Sequence, residues 1–428
     1  MMAPVTSRRT FLFAPESAYG PTNNCIGIGR RLLERGHRVV FAAEASWAGR
    51  LAPLGFEEEL IDLAEAPASG DAPDPGQFWK DYVAAIAPEF AKPTNEQLAS
   101  VIRPIWEELI AGARYAEDQL RDVLERVPPD VIVEDNVVGF PALVTSNAPF
   151  VRIVSCNPLE IPSANVAPAF SGLAEGDAPA YARFREVYRA THLELWREFN
   201  EWFVACGAPA LPELEFIGAG SLNLYVYPAE LDYRRDLGPI WQRVDSSVRE
   251  TDAAAELPAG FTDGRRPIIY FSLGSLGSAD VALMRRVIDA LASEPYDVIV
   301  SLGPRASEIE LAANMWGAEF LPQTRLLPLA DVVITHGGNN TVTESMHFGK
   351  PMLVLPLFWD QYDNAQRVHE RGYGRRVTTY EATAEDLRRE VARLLGDDAL
   401  RERCAVASAR IRAADGLGRA ADLLESAH

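Results

Sequence analysis

Mostly apolar runs alternate with helical patterns in two separate parts of this sequence. The first part holds the runs TFLFA, HRVVFAA, PDVIVED and FVRIVSC, with a helical stretch at residues 23–35 between the first two. The second part holds PIIYFSLGS, YDVIVSLG, GAEFLPQ, DVVITHGG and PMLVLPLF. Buried strands that alternate with helices are typical of parallel sheets with helices on both faces. The pattern predicts an α/β protein with two doubly wound, Rossmann-like domains facing each other across a cleft.

The periodicity fails between residues 227 and 264, where prolines and glycines interrupt a charged stretch that includes SSVRETDAAAE. Such composition is typical of a connection between domains. We therefore predict an N-terminal domain over residues 1–227, a linker over 228–264 and a C-terminal domain over 265–428. A chain of 428 residues, 48% of them apolar, is long enough to bury two cores.

The charge and cysteine content exclude several classes of protein. A formal net charge of −20 disfavours nucleic acid and stable association with an anionic membrane, since both would repel the protein. No apolar segment is long enough to span a bilayer, and the run after SRR ends at Pro15, too early for a secretory signal. The cysteines are scattered without a C-x-x-C pair, which predicts neither a zinc site nor a disulfide framework. We expect a cytoplasmic protein.

Two insertions in the N-terminal half are rich in aromatic residues. Such clusters usually form plain core, and they also line apolar ligand pockets. We predict that an apolar substrate, which would be the acceptor in a group transfer, binds in this half of the cleft and contacts Tyr19, Trp79, Trp106 and Phe140.

The segment DVVITHGGNNTVTESMHFGK carries the clearest chemical signal. A buried strand ends at Thr335, two glycines allow a tight turn, and a helix opens at Asn339. The free N–H groups and the positive dipole end of a helix N-terminus attract phosphate, and glycine lets phosphate oxygens approach the backbone. Glu344, about one turn into this helix, is placed to accept hydrogen bonds from a ribose diol. The segment therefore predicts a diphosphate and ribose site.

The next strand adds groups suited to a sugar. Its C-terminal end delivers Trp359, Asp360 and Gln361 to the same edge of the sheet. A carboxylate and an amide supply the acceptors and donors that sugar hydroxyls need. The pair sharpens the prediction, because it places groups suited to sugar hydroxyls beside the predicted diphosphate site.

From FLPQ at Phe320 through DQYDNA at Asp360, the sequence resembles the UDP-dependent glycosyltransferases of glycosyltransferase family 1, in particular the actinobacterial members that act on natural products of secondary metabolism. The resemblance extends over the whole chain in architecture and implies the GT-B fold. It implies a transferase that moves a hexose, with glucose expected, from a UDP-sugar to an apolar small molecule with inversion. It requires no cofactor beyond the co-substrate.

The resemblance also implies the roles of individual residues. Phe320 would stack on uracil, Leu321 and Gln323 would contact base and ribose, and Glu344 would hold the ribose. Asp360 and Gln361 would hold the donor sugar. The diphosphate would contact the loop SLGS and the start of the helix, namely Ser275, His336, Gly338, Asn339, Asn340 and Thr341. Asn339 and Asn340 depart from the commoner residues of the family, which loosens the donor assignment.

Other interpretations use the same motifs. A GT-B nucleotide-sugar epimerase or a phosphorylase would share the nucleotide or phosphate site, although DQYDNA favours a transferase. A catalytically inactive nucleotide-sugar-binding protein is a further alternative. No D-x-D pair follows a strand into the cleft, so no metal is expected; the helix N-terminus and His336 would stabilise the leaving diphosphate.

The stretch ESAYGPTNN lacks the family's catalytic histidine, because alignment from Arg35 to His37 places Pro21 at that position. An inverting transfer needs a base for the acceptor's proton, unless the acceptor ionises unaided. Asp135, at the end of PDVIVED, is the first candidate base and Glu16 the second. His192 is a third candidate, although the simpler interpretation is that this histidine packs in the core of the second insertion.

Overall fold

The computed structural model describes residues 7–65, 85–252, 257–258, 260–261 and 264–428. Its strands form two parallel sheets, a seven-stranded one of order β3-β2-β1-β4-β5-β6-β7 and a six-stranded one of order β10-β9-β8-β11-β12-β13. Both orders reverse beside the first strand, which is the arrangement of a doubly wound sheet. The prediction of two α/β domains is confirmed.

The N-terminal sheet contains β1 to β7, which are Thr10–Pro15, Arg38–Glu44, Glu57–Ile61, Val131–Asp135, Phe150–Val154, Leu222–Val226 and Trp241–Val244. Its long helices α1 to α3 are Tyr19–Glu34, Arg103–Arg126 and Ala178–Ala205. Shorter helical turns occur at Ala45–Trp47, Ala52–Leu54, Ala87–Ala91, Thr94–Gln97, Leu98–Ile102, Pro141–Val144 and Pro158–Glu160.

The C-terminal sheet contains β8 to β13, which are Ile268–Ser272, Asp297–Ser301, Met315–Ala318, Val332–Thr335, Met352–Val354 and Gly374–Arg376. Its helices α4 to α9 are Val281–Leu291, Asn339–His347, Gln361–Glu370, Ala384–Gly396, Asp398–Ala413 and Gly416–Glu425. Short turns occur at Gly274–Gly277, Ala306–Glu308, Gln323–Leu326 and Leu327–Leu329.

Helix α1 begins at Tyr19, four residues before the predicted start at Asn23. The first turn therefore contains Pro21. A proline is tolerated there because the first N–H groups of a helix have no intrahelical partner. As a result, the position that lacks the family's histidine lies in the first turn of α1.

Side chains along the central strand β4 alternate between the two faces of the N-terminal sheet, and the two faces pack against different helices. In β4, Val131 and Val133 share an apolar core with α1, whereas Ile132 shares a second core with α2 and the aromatic residues of the insertions. Successive side chains of a strand point to opposite faces. Asp135 therefore points toward α1, and Glu134 points toward the insertions.

The predicted domain boundaries differ from the structure at two points. Strand β7 lies inside the predicted linker, 228–264, yet it pairs with β6 and completes the N-terminal sheet. The last helix, α9, lies in the predicted C-terminal domain, but Ala420, Ala421 and Leu424 are buried in the same core as β1 and α1. The chain therefore crosses the cleft once more near its end.

Helix α6 binds the two domains together on the C-terminal side of the cleft. Asp363 accepts hydrogen bonds from the backbone N–H groups of Phe170 and Gly172, at 2.6 and 2.8 Å. Arg367, 1% exposed, donates to the carbonyl of Leu231 at 2.6 Å. These contacts fix the edge of the cleft onto which the predicted site opens. In the part of the chain that the structure describes, no helix is long and apolar enough to cross a membrane.

Candidate nucleotide-sugar site and acceptor cavity

His336 lies between two backbone segments that only glycine could form at this distance. A Cβ atom on Gly274 would lie 2.6 Å from the imidazole, and one on Gly338 would lie 2.5 Å from it. Gly274 also has a positive φ of 72°, which favours glycine. Burial lowers the pKa of His336 to about 4. The ring is therefore neutral at pH 7, with one nitrogen free to donate a hydrogen bond to a phosphate oxygen.

Helix α5 opens directly after this histidine, as predicted. Gly338 precedes its first residue, Asn339, and no side chain caps the N-terminus. Thr341 lies in the first turn, and Ser275 lies in the turn Gly274–Gly277, whose first residue contacts His336. The structure thus brings Ser275, His336, Gly338 and Thr341 to one edge of the sheet.

A hydrogen-bonded cluster surrounds Glu344 one turn further along α5. Gln323 donates its amide N–H to Glu344 at 2.6 Å and to Thr341 at 3.3 Å. Tyr270 donates its hydroxyl to the amide oxygen of Gln323 at 3.1 Å. Gln323 and Glu344, the two residues predicted to bind the ribose, are therefore in direct contact. Arg249 donates to Glu344 at 3.1 Å, a contact that the sequence analysis missed because it placed this residue in a linker.

Phe320 and Leu321 follow β10 at the mouth of the cleft. The Phe320 side chain is 51% exposed, which leaves ring surface free for stacking. Leu321 is partly buried against the main core. Tyr19, predicted on the acceptor side, instead has its ring 5.8 Å from that of Phe320. The predicted base-stacking residue thus faces an aromatic side chain of the opposite domain.

The two asparagines at the start of α5 bind the N-terminal domain. Asn339 donates to the carbonyls of Ser155 and Val226, at 2.7 and 3.2 Å. Asn340 donates to the carbonyl of Gly20 at 3.0 Å and accepts from the amide of Asn24 at 2.8 Å. In this structure both side chains hold the domains together across the cleft.

Asp360 and Gln361 also contact protein groups. Asp360 accepts from the backbone N–H of Asn157 at 2.8 Å, and burial raises its pKa to about 7. Gln361 accepts from the N–H groups of Leu357 and Phe358, at 3.0 and 3.3 Å. Their predicted role in holding the sugar stays a prediction.

A cavity of about 530 Å³ lies in the N-terminal domain beside these residues. Trp106, a predicted acceptor residue, lines it. Phe140 is buried outside the lining, and Trp79 lies outside the described residues. The sequence analysis missed further aromatic and charged lining residues, among them Arg152, Glu160, Phe170, Tyr188 and Phe216. The aromatic content of the insertions was the signal for this cavity, but it could not show which rings face inward.

Aromatic rings connect the cavity to the predicted sugar residues. Trp106 packs against Phe216 with ring centroids 4.4 Å apart and against Trp359 at 5.2 Å. Phe170 packs against Trp359 at 4.6 Å. Trp359 directly precedes Asp360. Two residues of the cavity lining therefore pack directly against the residue that precedes Asp360.

Arg152 and Glu160 are charged residues of the cavity lining, and Arg152 lies close to the buried carboxyl group of Glu134. Arg152 is 2% exposed and forms an ion pair with Glu160. Glu134 lies opposite Arg152 in the β4–β5 register and is 0% exposed, and its oxygens have no hydrogen-bond partner among the described residues. Burial raises the pKa of Glu134 well above its ordinary value. Burial therefore favours the protonated, uncharged form of this carboxyl group.

The candidate bases lie outside the cavity lining. Asp135 is 2% exposed, and the Cys25 thiol of α1 donates to it at 3.9 Å. Burial raises the pKa of Asp135 well above its ordinary value. Glu16 accepts from the N–H of Ala18 at 2.9 Å and from the Ser17 hydroxyl at 3.0 Å. The carboxylates of Asp135 and Glu16 therefore contact α1 and the loop before it, and Asp135 does not face the cavity directly.

His192, the third candidate, lies inside the second insertion. It is 0% exposed in α3 and stacks on Tyr188 with ring centroids 4.1 Å apart. Burial lowers its pKa to about 4. These contacts are those of a packed core histidine.

Among the described residues, no group of three His, Cys, Asp or Glu side chains comes together that could hold a metal ion.

Comparison with known proteins agrees with this geometry. The chain is 25% identical over 425 residues to oleandomycin glycosyltransferase of Streptomyces antibioticus, covering 96% of this chain and 89% of that protein. It is 28% identical to zeaxanthin glucosyltransferase of Pseudescherichia vulneris, covering 92% of each. The solved structure of the glycotransferase of kitacinnamycin matches with a TM-score of 0.72 and 24% identity, over 98% of this chain and 99% of that one.

The fold and the family follow from these matches. The calicheamicin glycosyltransferase CalG4 has a similar structure, with a TM-score of 0.67 and 19% identity, over 98% of each chain. The family described as "UDP-glucoronosyl and UDP-glucosyl transferase" matches residues 199–412, half of the chain, from the end of α3 to α8. The protein has the GT-B fold, belongs to the UDP-glucuronosyl and UDP-glucosyl transferase family, and is a sugar-transferring enzyme.

Proposed function

We propose that this enzyme transfers a hexose, namely glucose, from a UDP-sugar to an apolar small molecule. The transfer inverts the configuration at the anomeric carbon and uses no metal ion. The observation that carries the proposal is that residues 359–361 contact both places. Trp359 packs on Trp106 and Phe170 of the cavity lining, and the backbone of Gln361 lies against Gly337, next to His336. A donor bound at the first site would present its anomeric carbon to an acceptor in the cavity.

The donor diphosphate would bind at the N-terminus of α5. Backbone N–H groups and the dipole of this helix favour an anion, and neutral His336 adds a hydrogen-bond donor. The same groups would stabilise the charge that develops on the departing UDP, so the reaction needs no metal ion for that purpose. UDP-sugar is then a co-substrate, and no further cofactor takes part.

The acceptor cavity is suited to an apolar molecule of moderate size. Its volume of about 530 Å³ falls within the usual range for small-molecule sites, and most of its lining side chains are apolar. Relatives named as transferases of oleandomycin and zeaxanthin support a small-molecule acceptor. The net charge of −20 supports the absence of a nucleic-acid partner and of stable membrane association. The four free cysteines support a reducing, cytoplasmic setting.

In the proposed step, the acceptor oxygen attacks the anomeric carbon as the bond from that carbon to UDP breaks. Attack from the face opposite UDP inverts the configuration. We assign the acceptor's proton to Asp135, a buried carboxyl group at the C-terminal end of β4 whose pKa burial raises. Because Asp135 lies outside the cavity lining, this assignment requires the acceptor hydroxyl to extend from the cavity to the end of β4. Glu16, whose N–H donates to the carbonyl of Asp135 at 2.9 Å, is the second candidate.

Mass spectrometry would test this function with UDP-glucose and a panel of phenolic and alcoholic aglycones. A glucosylated product and UDP, formed in the presence of a chelator, are the expected result. Calorimetry would measure UDP binding in parallel, with His336→Ala as the matched variant. Absence of UDP binding, or equal binding by His336→Ala, would contradict the donor site. UDP binding without transfer to any aglycone would favour the inactive binding protein.

A further inference from the structure

The segment that follows β7 docks onto the nucleotide end of the cleft. Arg249 forms an ion pair with Asp252 at 3.1 Å, in addition to its contact with Glu344. Asp252 accepts hydrogen bonds from the backbone N–H and the hydroxyl of Thr324, at 3.1 and 2.8 Å. Thr324 directly follows Gln323. The linker therefore binds both the helix and the turn that form the Glu344 cluster.

The Arg249 and Glu344 pair is buried. The side chains are 12% and 5% exposed, respectively. Removal of one partner from a buried ion pair leaves an uncompensated charge, which is strongly unfavourable. Glu344 would then take up a proton or change its position. The guanidinium thus fixes both the charge and the orientation of this carboxylate.

The hydrogen-bonding capacity of Glu344 matches a diol. An ionised carboxylate offers about four lone-pair sites. In the structure Arg249 occupies a site on one oxygen and Gln323 occupies a site on the other. About one site on each oxygen is left, which is what two neighbouring hydroxyl groups require.

We propose that Arg249 is a positioning residue of the donor site, which holds the Glu344 carboxylate so that its remaining lone pairs accept both hydroxyls of the donor ribose. This inference rests on the proposed function, because it takes the donor to be a ribonucleotide sugar. It makes the linker part of the donor site. It also makes discrimination between ribose and deoxyribose depend on a residue that does not touch the sugar.

The charged surroundings of Glu344 give the inference a pH signature. Burial raises the pKa of Glu344. The charge of Arg249 and the hydrogen bond from Gln323 lower this pKa, whereas the nearby charge of Asp252 raises it. The Tyr270 hydroxyl of β8 also faces this cluster. In the absence of Arg249, its positive charge no longer lowers the pKa of Glu344. The Glu344 carboxyl group would then stay protonated to a higher pH, and a protonated carboxyl has fewer free acceptor sites for the diol.

Isothermal titration calorimetry with UDP and 2′-deoxy-UDP between pH 6 and 9 tests the inference. The variants are Arg249→Met, Arg249→Lys and, as a matched control, Arg325→Met. Arg325 is exposed and contacts the same linker through the Asp252 carbonyl at 3.0 Å. Wild type and Arg325→Met should bind UDP with similar pH profiles. Arg249→Met should lose about tenfold in UDP affinity near pH 7, regain affinity as pH rises, and lose less for 2′-deoxy-UDP. Arg249→Lys should be intermediate.

The outcomes separate this inference from the proposed function. Failure of the wild type to bind UDP would contradict the proposed function itself. If the wild type binds UDP, an unchanged affinity in Arg249→Met would overturn only the role of Arg249. An equal loss for both nucleotides, without a change in pH profile, would likewise overturn it, because a merely structural linker contact would produce that result.

Discussion

The rings of Tyr19 and Phe320, which belong to opposite domains, lie 5.8 Å apart with an interplanar angle of 38°. Tyr19 is held in this position by Arg50, which donates to its hydroxyl at 2.9 Å, and by the ring of Trp47 at 5.4 Å. Tyr19 therefore lies beside the predicted base-stacking residue and outside the lining of the aromatic cavity.

We expect Tyr19→Ala to weaken UDP binding about tenfold and to leave the KM for the acceptor unchanged. Base–aromatic stacking contributes about 1–3 kcal/mol, and Tyr19 supports the exposed ring on which the base would stack. Tyr19→Phe keeps the ring and is the control. Calorimetry with UDP and steady-state kinetics with a varied acceptor give the two values. A raised acceptor KM with unchanged UDP affinity would instead indicate that Tyr19 contacts the acceptor, as the sequence analysis predicted.

Asp135→Asn should lose transfer to an alkyl alcohol by orders of magnitude and transfer to a nitrophenol by much less. The alcohol needs a base for its proton, whereas a nitrophenol is ionised near neutral pH. Rates of UDP release with the two acceptors would measure the difference. Glu16→Gln, measured alongside, tests the second candidate. Equal and small losses with both acceptors would exclude Asp135 as the base.

Ala169→Phe should raise the acceptor KM at least tenfold without changing UDP affinity. Ala169 lines the cavity and is partly buried, so a phenyl ring there would occupy space needed by the acceptor. Kinetics with a varied aglycone, and calorimetry with UDP, would separate the two effects. An unchanged KM would show that acceptors bind elsewhere.

Glu134→Gln should stabilise the protein increasingly as pH rises. Burial raises the pKa of Glu134 in the folded state, so this state holds a proton that the unfolded chain releases above its ordinary pKa. Wild-type stability therefore falls as pH rises between the two pKa values, by up to about 1.4 kcal/mol per pH unit. Glutamine removes this dependence. Melting temperatures should differ little at pH 5 and more at pH 8, and a constant difference would contradict the assignment.

Leu424→Ala should destabilise the protein by about 2–5 kcal/mol, because Leu424 is 0% exposed in the core that α9 shares with β1. Val406 is 65% exposed on α8, and Val406→Ala should change stability by less than about 0.5 kcal/mol. Urea denaturation of both variants would measure these values. Equal stability would mean that α9 does not contribute to the N-terminal core.

The sequence by itself determined the parts of this protein that depend on local interactions. The run from Val332 to His347 encodes a buried strand, a glycine turn and a helix start within sixteen residues, and the structure contains all three. The alternation of apolar runs likewise predicted both sheets. Strands β3, β6, β7 and β13 were not predicted. Strand β7, for example, was missed because its four residues, WQRV, include one buried side chain and no apolar run.

The tertiary structure decided everything that depends on contacts between distant residues. Arg249 reaches Glu344 across 95 positions, and Asn340 reaches Asn24 across 316. No local pattern encodes these contacts, because each depends on how two separately folded sheets dock. Alternation in β4 predicted that Glu134 and Asp135 point to opposite faces. Only the packing of α1 on one face and of the aromatic insertions on the other decided that Asp135 contacts Cys25 while Glu134 lies beside Arg152.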